Sequence, residues 1–178
     1  SPETSIISTN ALTFDDSSGS PLVGDKITYN RVYGQWRYAT TISGLTANTA
    51  YVFPIGTADY NNIATVGSTS RIIPGATGKY TLQFGIQIQN GPNPGADAYI
   101  WLRKNGVDVS GSTQVFNLYY ETKTFTAGNW MLDSANTTDY WEIAYAVSNP
   151  SITFPAYAAT AFSPSSSNIV TTLTPVGI

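Results

Sequence analysis

Neither cysteine nor histidine occurs among the 178 residues of the chain. Their absence excludes disulfide bonds, thiol nucleophiles and catalytic Ser-His or Cys-His dyads, and it removes the usual protein ligands of zinc and copper. Because no covalent cross-link is available, stability outside a reducing cell must come from packing and from association between chains. We therefore expect a protein without a cofactor, a resident metal ion or enzymatic activity.

Charged side chains are also scarce. They make up 11% of the residues, against a usual share of about 25%, so uncharged polar residues and glycine must form most of the surface. The formal net charge is −3 and the eight basic residues are scattered, whereas nucleic-acid phosphates need clustered Lys and Arg. No stretch approaches the roughly 18 consecutive apolar residues that span a membrane. We expect neither a nucleic-acid partner nor membrane insertion.

The chain has no segment that resembles a signal peptide. Its polar and weakly charged surface is nevertheless typical of proteins that work outside the cell. A component of a viral particle combines these two properties, because lysis releases it without secretion. The sequence therefore favours a place on the surface of a virion.

Strand patterning dominates the sequence, since no window of ten or more residues has helical periodicity. In residues 80–89 large apolar side chains alternate with polar or small ones, and the predicted core positions are Tyr80, Leu82, Phe84, Ile86 and Ile88. A second strand, residues 97–104, runs into Asn105-Gly106. This dipeptide is suited to a type I′ hairpin turn, in which both central residues adopt a positive φ.

Short strands separated by turn signals indicate an all-β sandwich. Residues 1–35 are rich in Ser, Thr and Asp with weak alternation, and we interpret them as an extended arm. Residues 36–178 are interpreted as one globular domain, in which residues 155–167 form a low-complexity connection. Further strands are predicted at residues 50–55, 70–73, 107–109, 113–120, 122–125, 129–132, 140–147, 151–154 and 168–176.

An ordered series of short motifs runs through residues 33–176. It consists of Tyr33-Gly34-Gln35-Trp36, Ala47-Asn48-Thr49-Ala50-Tyr51, Ser70-Arg71-Ile72, Gly78-Lys79-Tyr80-Thr81-Leu82-Gln83-Phe84, Ile100-Trp101-Leu102-Arg103-Lys104-Asn105-Gly106-Val107-Asp108-Val109 with Ser112, Asp139-Tyr140-Trp141-Glu142-Ile143 and Ile169-Val170-Thr171-Thr172-Leu173-Thr174. The series resembles the trimeric jelly rolls of the tumour-necrosis-factor and complement-head superfamily, in the version found in bacteriophage structural proteins. The sequence departs from the family pattern in two places: Thr138 replaces a usual Gly before Asp139, and Ser167-Asn168 replaces a usual Pro-Ser.

The resemblance implies a ten-stranded jelly roll of two packed five-stranded sheets that assembles as a homotrimer. The inner sheet would be buried against two neighbouring subunits about a three-fold axis. The resemblance also places Trp141 and Ile143 in the core, so that alternate residues of their strand turn toward the axis. With the polar side of residues 80–89, these give a predicted trimer interface of Gln83, Gly85, Gln87, Tyr140, Glu142 and Ala144.

The alternative for this face is simple exposure to solvent. Three Glu142 carboxylates near one axis would repel each other unless they were hydrogen-bonded, protonated or bound to a cation. Such a cation is a possibility that no other feature of the sequence supports. We predict no metal site.

The acidic residues are the only material for acid–base catalysis, and the nearest pairs are Asp15 with Asp16 and Asp139 with Glu142. A glycosidase needs two carboxylates held about 5–10 Å apart in a cleft. Asp15 and Asp16 lie in the predicted arm, where solvated charges are expected. Asp139 is expected to shape a turn by binding nearby backbone amides.

An aromatic patch is predicted from Tyr99, Trp101, Tyr119 and Tyr120. Tyr99 and Trp101 lie on the side of their strand opposite to the core positions. Aromatic rings stack against the C–H faces of sugars, so the patch could bind a host surface glycan. Coverage by the arm or by a neighbouring subunit is the favoured interpretation, because extended exposed aromatic patches are uncommon.

The leading functional hypothesis is a structural virion protein of a bacteriophage, a trimeric capsid decoration or head-fibre protein. Its predicted partners are other copies of itself and other virion proteins, the latter contacted through residues 1–35. The alternative is a receptor-binding fibre knob that recognises a host glycan. A secreted signalling ligand is disfavoured, since the chain has neither a signal peptide nor disulfides.

Overall fold

A computed structural model of the protein describes residues 32–176. They form twelve β-strands and no helix. In chain order the strands are β1 Tyr33–Tyr38, β2 Tyr51–Val52, β3 Thr57–Asn62, β4 Thr65–Gly67, β5 Arg71–Ile73, β6 Gly78–Gln89, β7 Gly95–Lys104, β8 Val107–Asp108, β9 Gln114–Tyr119, β10 Lys123–Ser134, β11 Trp141–Val147 and β12 Ile169–Pro175.

The strands form two antiparallel sheets that pack as a sandwich. The first has five strands in the order β10-β6-β12-β1-β3, and the second has seven, with β4-β5-β11-β7-β8 as its path and with β2 and β9 paired to β11 and β7. The prediction of an all-β jelly-roll sandwich is confirmed. The resemblance implied ten strands, whereas short strands such as β2, β4 and β8 bring the described total to twelve.

The core lies between the two sheets, and the alternation in β6 places it there as predicted. Tyr80, Leu82, Phe84, Ile86 and Ile88 are all buried. Aromatic rings fill the space toward the second sheet, where the ring centroids of Phe53 and Phe154 lie 4.9 Å apart. The predicted register of this strand is therefore confirmed.

The predicted strands at residues 122–125 and 129–132 are one continuous strand, β10. Gly128 lies at the predicted break, opposite Phe84 of β6. A Cβ at residue 128 would lie 2.7 Å from Cζ of Phe84 and 2.5 Å from Oε1 of Gln114. The glycine therefore makes room for two side chains and does not mark a turn.

Three other predicted elements differ from the structure. Residues 50–55 contain only the two-residue strand β2, and residues 151–154 contribute isolated bridges, Thr153 to Gln89 and Phe154 to Ile42. The strand β1 begins at Tyr33, inside the range predicted as an arm. The rest of that arm, with Asp15 and Asp16, lies outside the described residues.

The strands β6 and β11 belong to different sheets, which corrects the predicted interface. β6 pairs with β10 and β12, whereas β11 pairs with β7, β2 and β5. Alternation reveals which side chains of a strand face the core, but it does not reveal which strands are neighbours. Within residues 32–176 no helix is long and apolar enough to cross a membrane.

Candidate functional site

On the outward side of the five-stranded sheet, the neighbouring strands β10, β6 and β12 carry no charged residue between their ends. We call this surface the uncharged face and define it by Gln83, Gly85, Phe125, Ala127, Asn129, Met131, Val170 and Thr172. Register pairs β10 with β6 and β6 with β12, so these side chains lie side by side. Charged residues occur at its ends, where Lys79 lies opposite Asp133 and Lys123 opposite Gln89. Along its β1 side, Arg37 lies opposite Val170 and pairs with Asp59 of β3 at 2.9 Å.

Two large apolar side chains on β10 project from the uncharged face. Phe125 is 67% exposed and Met131 is 63% exposed. The ring of Phe125 lies over Gly85, where an added Cβ would be 2.5 Å from the ring carbon Cζ. Beside the ring is a shallow depression of about 500 Å³, lined by Gln83, Asn129 and Thr172 among others. The face is therefore uncharged, partly apolar, uneven and open.

Three of the six predicted interface residues, Gln83, Gly85 and Gln87, lie on this side of the five-stranded sheet. Gln87 is already engaged within the chain, because its side-chain amide donates to Oγ of Ser166 at 2.8 Å and to the carbonyl of Ser167 at 2.6 Å. It anchors the end of the long connection before β12. Gln83 and Gly85 remain candidates for a subunit contact.

The other three predicted interface residues, Tyr140, Glu142 and Ala144, lie at or on β11, in the opposite sheet. Ala144 is fully buried, between Val52 of β2 and Trp101 of β7. These three residues therefore cannot share one face with Gln83 and Gly85. The prediction of a single six-residue surface was wrong, because it treated β11 as the neighbour of β6.

Glu142 takes part in an intrachain cluster on the seven-stranded sheet. Its carboxylate accepts a hydrogen bond from Oγ of Ser70 at 3.2 Å and lies 3.6 Å from Nε of Arg71. The guanidinium of Arg71 also lies over the ring of Tyr140, 4.4 Å from its centroid. In the described part of the chain no three Asp, Glu, Cys or His side chains group as metal ligands would.

Asp139 holds the loop between β10 and β11, in agreement with its predicted role in a turn. Its carboxylate accepts hydrogen bonds from the backbone amides of Ala135 and Asn136 and from the side chain of Asn105, and it pairs with Nζ of Lys104 at 3.1 Å. Hydrogen bonds from Asn105 and Lys104 hold the pKa of this carboxyl well below its ordinary value. The arrangement fixes the backbone of this loop.

The four residues of the predicted aromatic patch do not come together. Tyr99 and Trp101 are half-buried on the outer side of β7. Tyr119 lies opposite Gly95, four residues from Tyr99 along the same sheet, a separation of about 13 Å at the usual rise of a strand. Tyr120 follows it in the turn before β10. The patch is thus two separate features, and only Tyr99 and Trp101 share a depression.

Known structures share this arrangement of sheets. The solved structure of the globular domain of zebrafish complement 1qA protein superposes with a TM-score of 0.51 at 10% sequence identity, covering 83% of this chain and 98% of that one. The chain has the jelly-roll fold. Murine APRIL superposes with a TM-score of 0.49 at 10% identity, covering 81% and 98% of the two chains. The sequence matches no protein-family model and no curated protein.

Proposed function

We propose that the protein is a homotrimer whose subunits meet through the uncharged face, and that it is a non-enzymatic structural component on the surface of a bacteriophage particle. The role is that of a capsid decoration or head-fibre protein. The residues that precede β1 attach the trimer to other virion proteins. The observation that carries the proposal is the outward side of the five-stranded sheet, with Phe125 and Met131 exposed and no charge between them.

The composition of the uncharged face is that of the centre of a subunit interface. Such centres are depleted of charged residues and enriched in aromatic residues and Met. Phe125 and Met131 are the large apolar side chains of this kind on the face, and covering them would remove apolar area from water. Gln83 and Asn129 would supply amides for hydrogen bonds between subunits.

The free edge of β10 also favours the uncharged face as the subunit contact. β10 has twelve residues and is the outermost strand of its sheet, so that one of its edges has no strand partner among residues 32–176. Long unprotected edges invite uncontrolled pairing with other chains. Its outward charges, Lys123 and Asp133, lie only at the two ends of the strand. A neighbouring subunit packed beside Phe125 would shield this edge in a defined way.

The proposed location on the surface of a bacteriophage particle is inferred from the sequence. The chain reaches a packed fold without cysteine, and only 11% of its residues are charged, which suits a protein that works outside a reducing cell. A trimer with an amino-terminal arm on each subunit has three points of attachment, and three linked contacts bind more tightly than one. Imaging intact particles tests this part, with copies in groups of three at capsid sites expected.

Sedimentation equilibrium of Phe125→Glu tests the proposed interface. The parent protein should be a trimer at micromolar concentration, and Phe125→Glu should be a folded monomer, because three carboxylates would be brought together in a desolvated contact. The matched control is Tyr119→Glu, since Tyr119 is 71% exposed on the other sheet. It should stay trimeric. A monomeric parent, or a trimer lost only in Tyr119→Glu, would refute the proposed interface.

A further inference from the structure

A second depression lies on the outward side of the seven-stranded sheet. It has a volume of about 580 Å³ and lies between β7, β11 and the segment that follows β8. Tyr99, Trp101 and Ala146 line it from β7 and β11, Asp108 lines it from the end of β8, and Ser110 and Thr113 line it from the segment. It thus combines two aromatic rings with one carboxylate and the hydroxyl groups of Ser110 and Thr113.

The depression exists because large residues on β7 face small residues on β11. Tyr99 is directly opposite Ala146, and Trp101 is directly opposite Ala144. An alanine cannot cover the side of a neighbouring indole or phenol ring. Both rings therefore stay partly accessible on a surface where cross-strand partners of ordinary size would have buried them.

Asp108 fixes the polar side of the depression. Its Oδ1 accepts a hydrogen bond from Nε1 of Trp101 at 2.7 Å and another from Nε of Arg103 at 2.5 Å. The first bond sets the orientation of the indole, and the second offsets the negative charge. Arg103 and then Trp101 lower the pKa of this carboxyl, so it is ionised at neutral pH. Its side chain is 60% exposed and can accept further hydrogen bonds.

We infer that this depression binds one ring of a neutral saccharide, stacked on Tyr99 or Trp101 with a hydroxyl group donated to Asp108. Sugar rings present C–H groups on their faces and hydroxyls at their rims, which matches apolar rings beside a fixed acceptor. Ser110 and Thr113 can bond the remaining hydroxyls. An anionic ligand would compete with Asp108 for Arg103, and a wholly apolar one would strip water from that carboxylate without replacing it.

The site does not depend on the trimer proposed above. It lies on the sheet opposite to the uncharged face, so assembly through that face leaves it open. It also differs from the four-residue platform expected from the sequence, because Tyr119 and Tyr120 take no part in it.

Saturation-transfer difference NMR on the full chain tests the site, with methyl glucoside, methyl galactoside, methyl mannoside and N-acetylglucosamine as neutral probes and sialic acid as the anionic one. At least one neutral probe should receive saturation, with a dissociation constant on the order of 1 mM, which a single shallow subsite can provide. Sialic acid should receive none. An absence of transfer to every neutral probe, or transfer to sialic acid alone, would overturn the inference.

Two variants locate the binding within the chain. Trp101→Ala removes the stacking surface, and Ala146→Leu fills the depression while leaving every proposed contact group in place. Each should weaken binding at least about tenfold, an effect of one lost stacking contact. Tyr119→Ala is the matched control and should bind as the parent does. Undiminished binding by Ala146→Leu, or equal loss in Tyr119→Ala, would show that the sugar binds elsewhere and would contradict the assignment.

Discussion

The two outward surfaces of the sandwich differ in how their charges are arranged. The seven-stranded sheet carries ion pairs within its own chain, Arg71 with Glu142 and Arg103 with Asp108. The five-stranded sheet carries one such pair, Arg37 with Asp59 on β1 and β3. Its other three strands expose Phe125 and Met131 with no charge between them. A surface whose charges are already paired is complete in a single chain, whereas an uncharged surface with open apolar side chains is completed by another subunit.

An arginine substituted into each sheet should show the largest difference between the two surfaces, because one substitution acts on monomer stability and the other on trimer assembly. Ala144→Arg should destabilise the monomer by several kcal/mol, because residue 144 is fully buried between β2 and β7 and an unpaired cation there is desolvated. Asn129→Arg, on the uncharged face, should dissociate the trimer and change monomer stability by less than about 0.5 kcal/mol. Urea unfolding and sedimentation equilibrium measure the two effects.

The unfolding comparison is made below the concentration at which the trimer dissociates, so that association adds nothing to the apparent stability. A stable but monomeric Ala144→Arg variant, combined with a trimeric Asn129→Arg variant, would move the subunit contact from β10 to β11.

Truncation of the core gives the scale against which changes on either surface are judged. Phe84→Ala should lower the free energy of unfolding by about 3–5 kcal/mol, as expected for a buried aromatic side chain. Phe84 is buried and its ring stacks on Trp130 with 4.7 Å between centroids. Thermal unfolding followed by near-ultraviolet circular dichroism measures the loss. A melting temperature equal to that of the parent would contradict the register of β6.

Lowering the pH should destabilise the loop between β10 and β11, because it protonates Asp139. The folded-state pKa of this carboxyl is lowered from its reference value of 3.8. Ionised Asp139 therefore stabilises the fold above that value, and the contribution is lost as the pH falls through the lower folded-state pKa. Asn105→Gly removes the largest cause of the shift while tolerating the positive φ at residue 105. NMR titration should find a higher Asp139 pKa in this variant, and an unchanged one would refute the assigned cause.

Salt should have the smallest effect on assembly. Raising the ionic strength from about 0.1 M to about 1 M shortens the Debye length from about 10 Å to about 3 Å and weakens exposed ion pairs. Because the uncharged face contributes no central charge, the dissociation constant of the trimer should stay the same or fall. Sedimentation equilibrium across this range measures it. Dissociation of the trimer at high salt would indicate that the seven-stranded sheet, with its ion pairs, forms the subunit contact.

The sequence was informative wherever one residue type is tied to one local geometry. Asn105 and Gly106 adopt the positive φ values, 51° and 81°, that their hairpin turn requires. Alternation along β6 placed five side chains in the core because a strand has two distinct sides. The role of Asp139 in a turn followed from its short acceptor side chain, which reaches backbone amides nearby in the chain.

What sequence could not provide was the neighbour of each strand. The interface prediction failed on Glu142 and Ala144 because the sheet to which β11 belongs is set by pairing over long sequence distances. β3 was not predicted. None of its six residues is buried, so the strand lacks the large core side chains at alternate positions by which a strand is recognised in a sequence. The aromatic patch failed because Tyr119 pairs opposite Gly95, which separates it from Tyr99. The unpaired edge of β10 likewise became visible only in the structure.

Distances between spin labels in the assembled trimer test most directly whether the subunits meet through the uncharged face. Because the chain has no native cysteine, one label per subunit can be attached at a chosen site. The two sites are Thr174→Cys on the five-stranded sheet and Val115→Cys on the seven-stranded sheet. Two packed sheets lie about 10 Å apart, and three-fold geometry enlarges this difference in radius, so the Val115 labels should be farther apart by on the order of 15 Å. Sedimentation confirms that each labelled protein is a trimer. Shorter distances at residue 115 than at residue 174 would contradict assembly through the uncharged face.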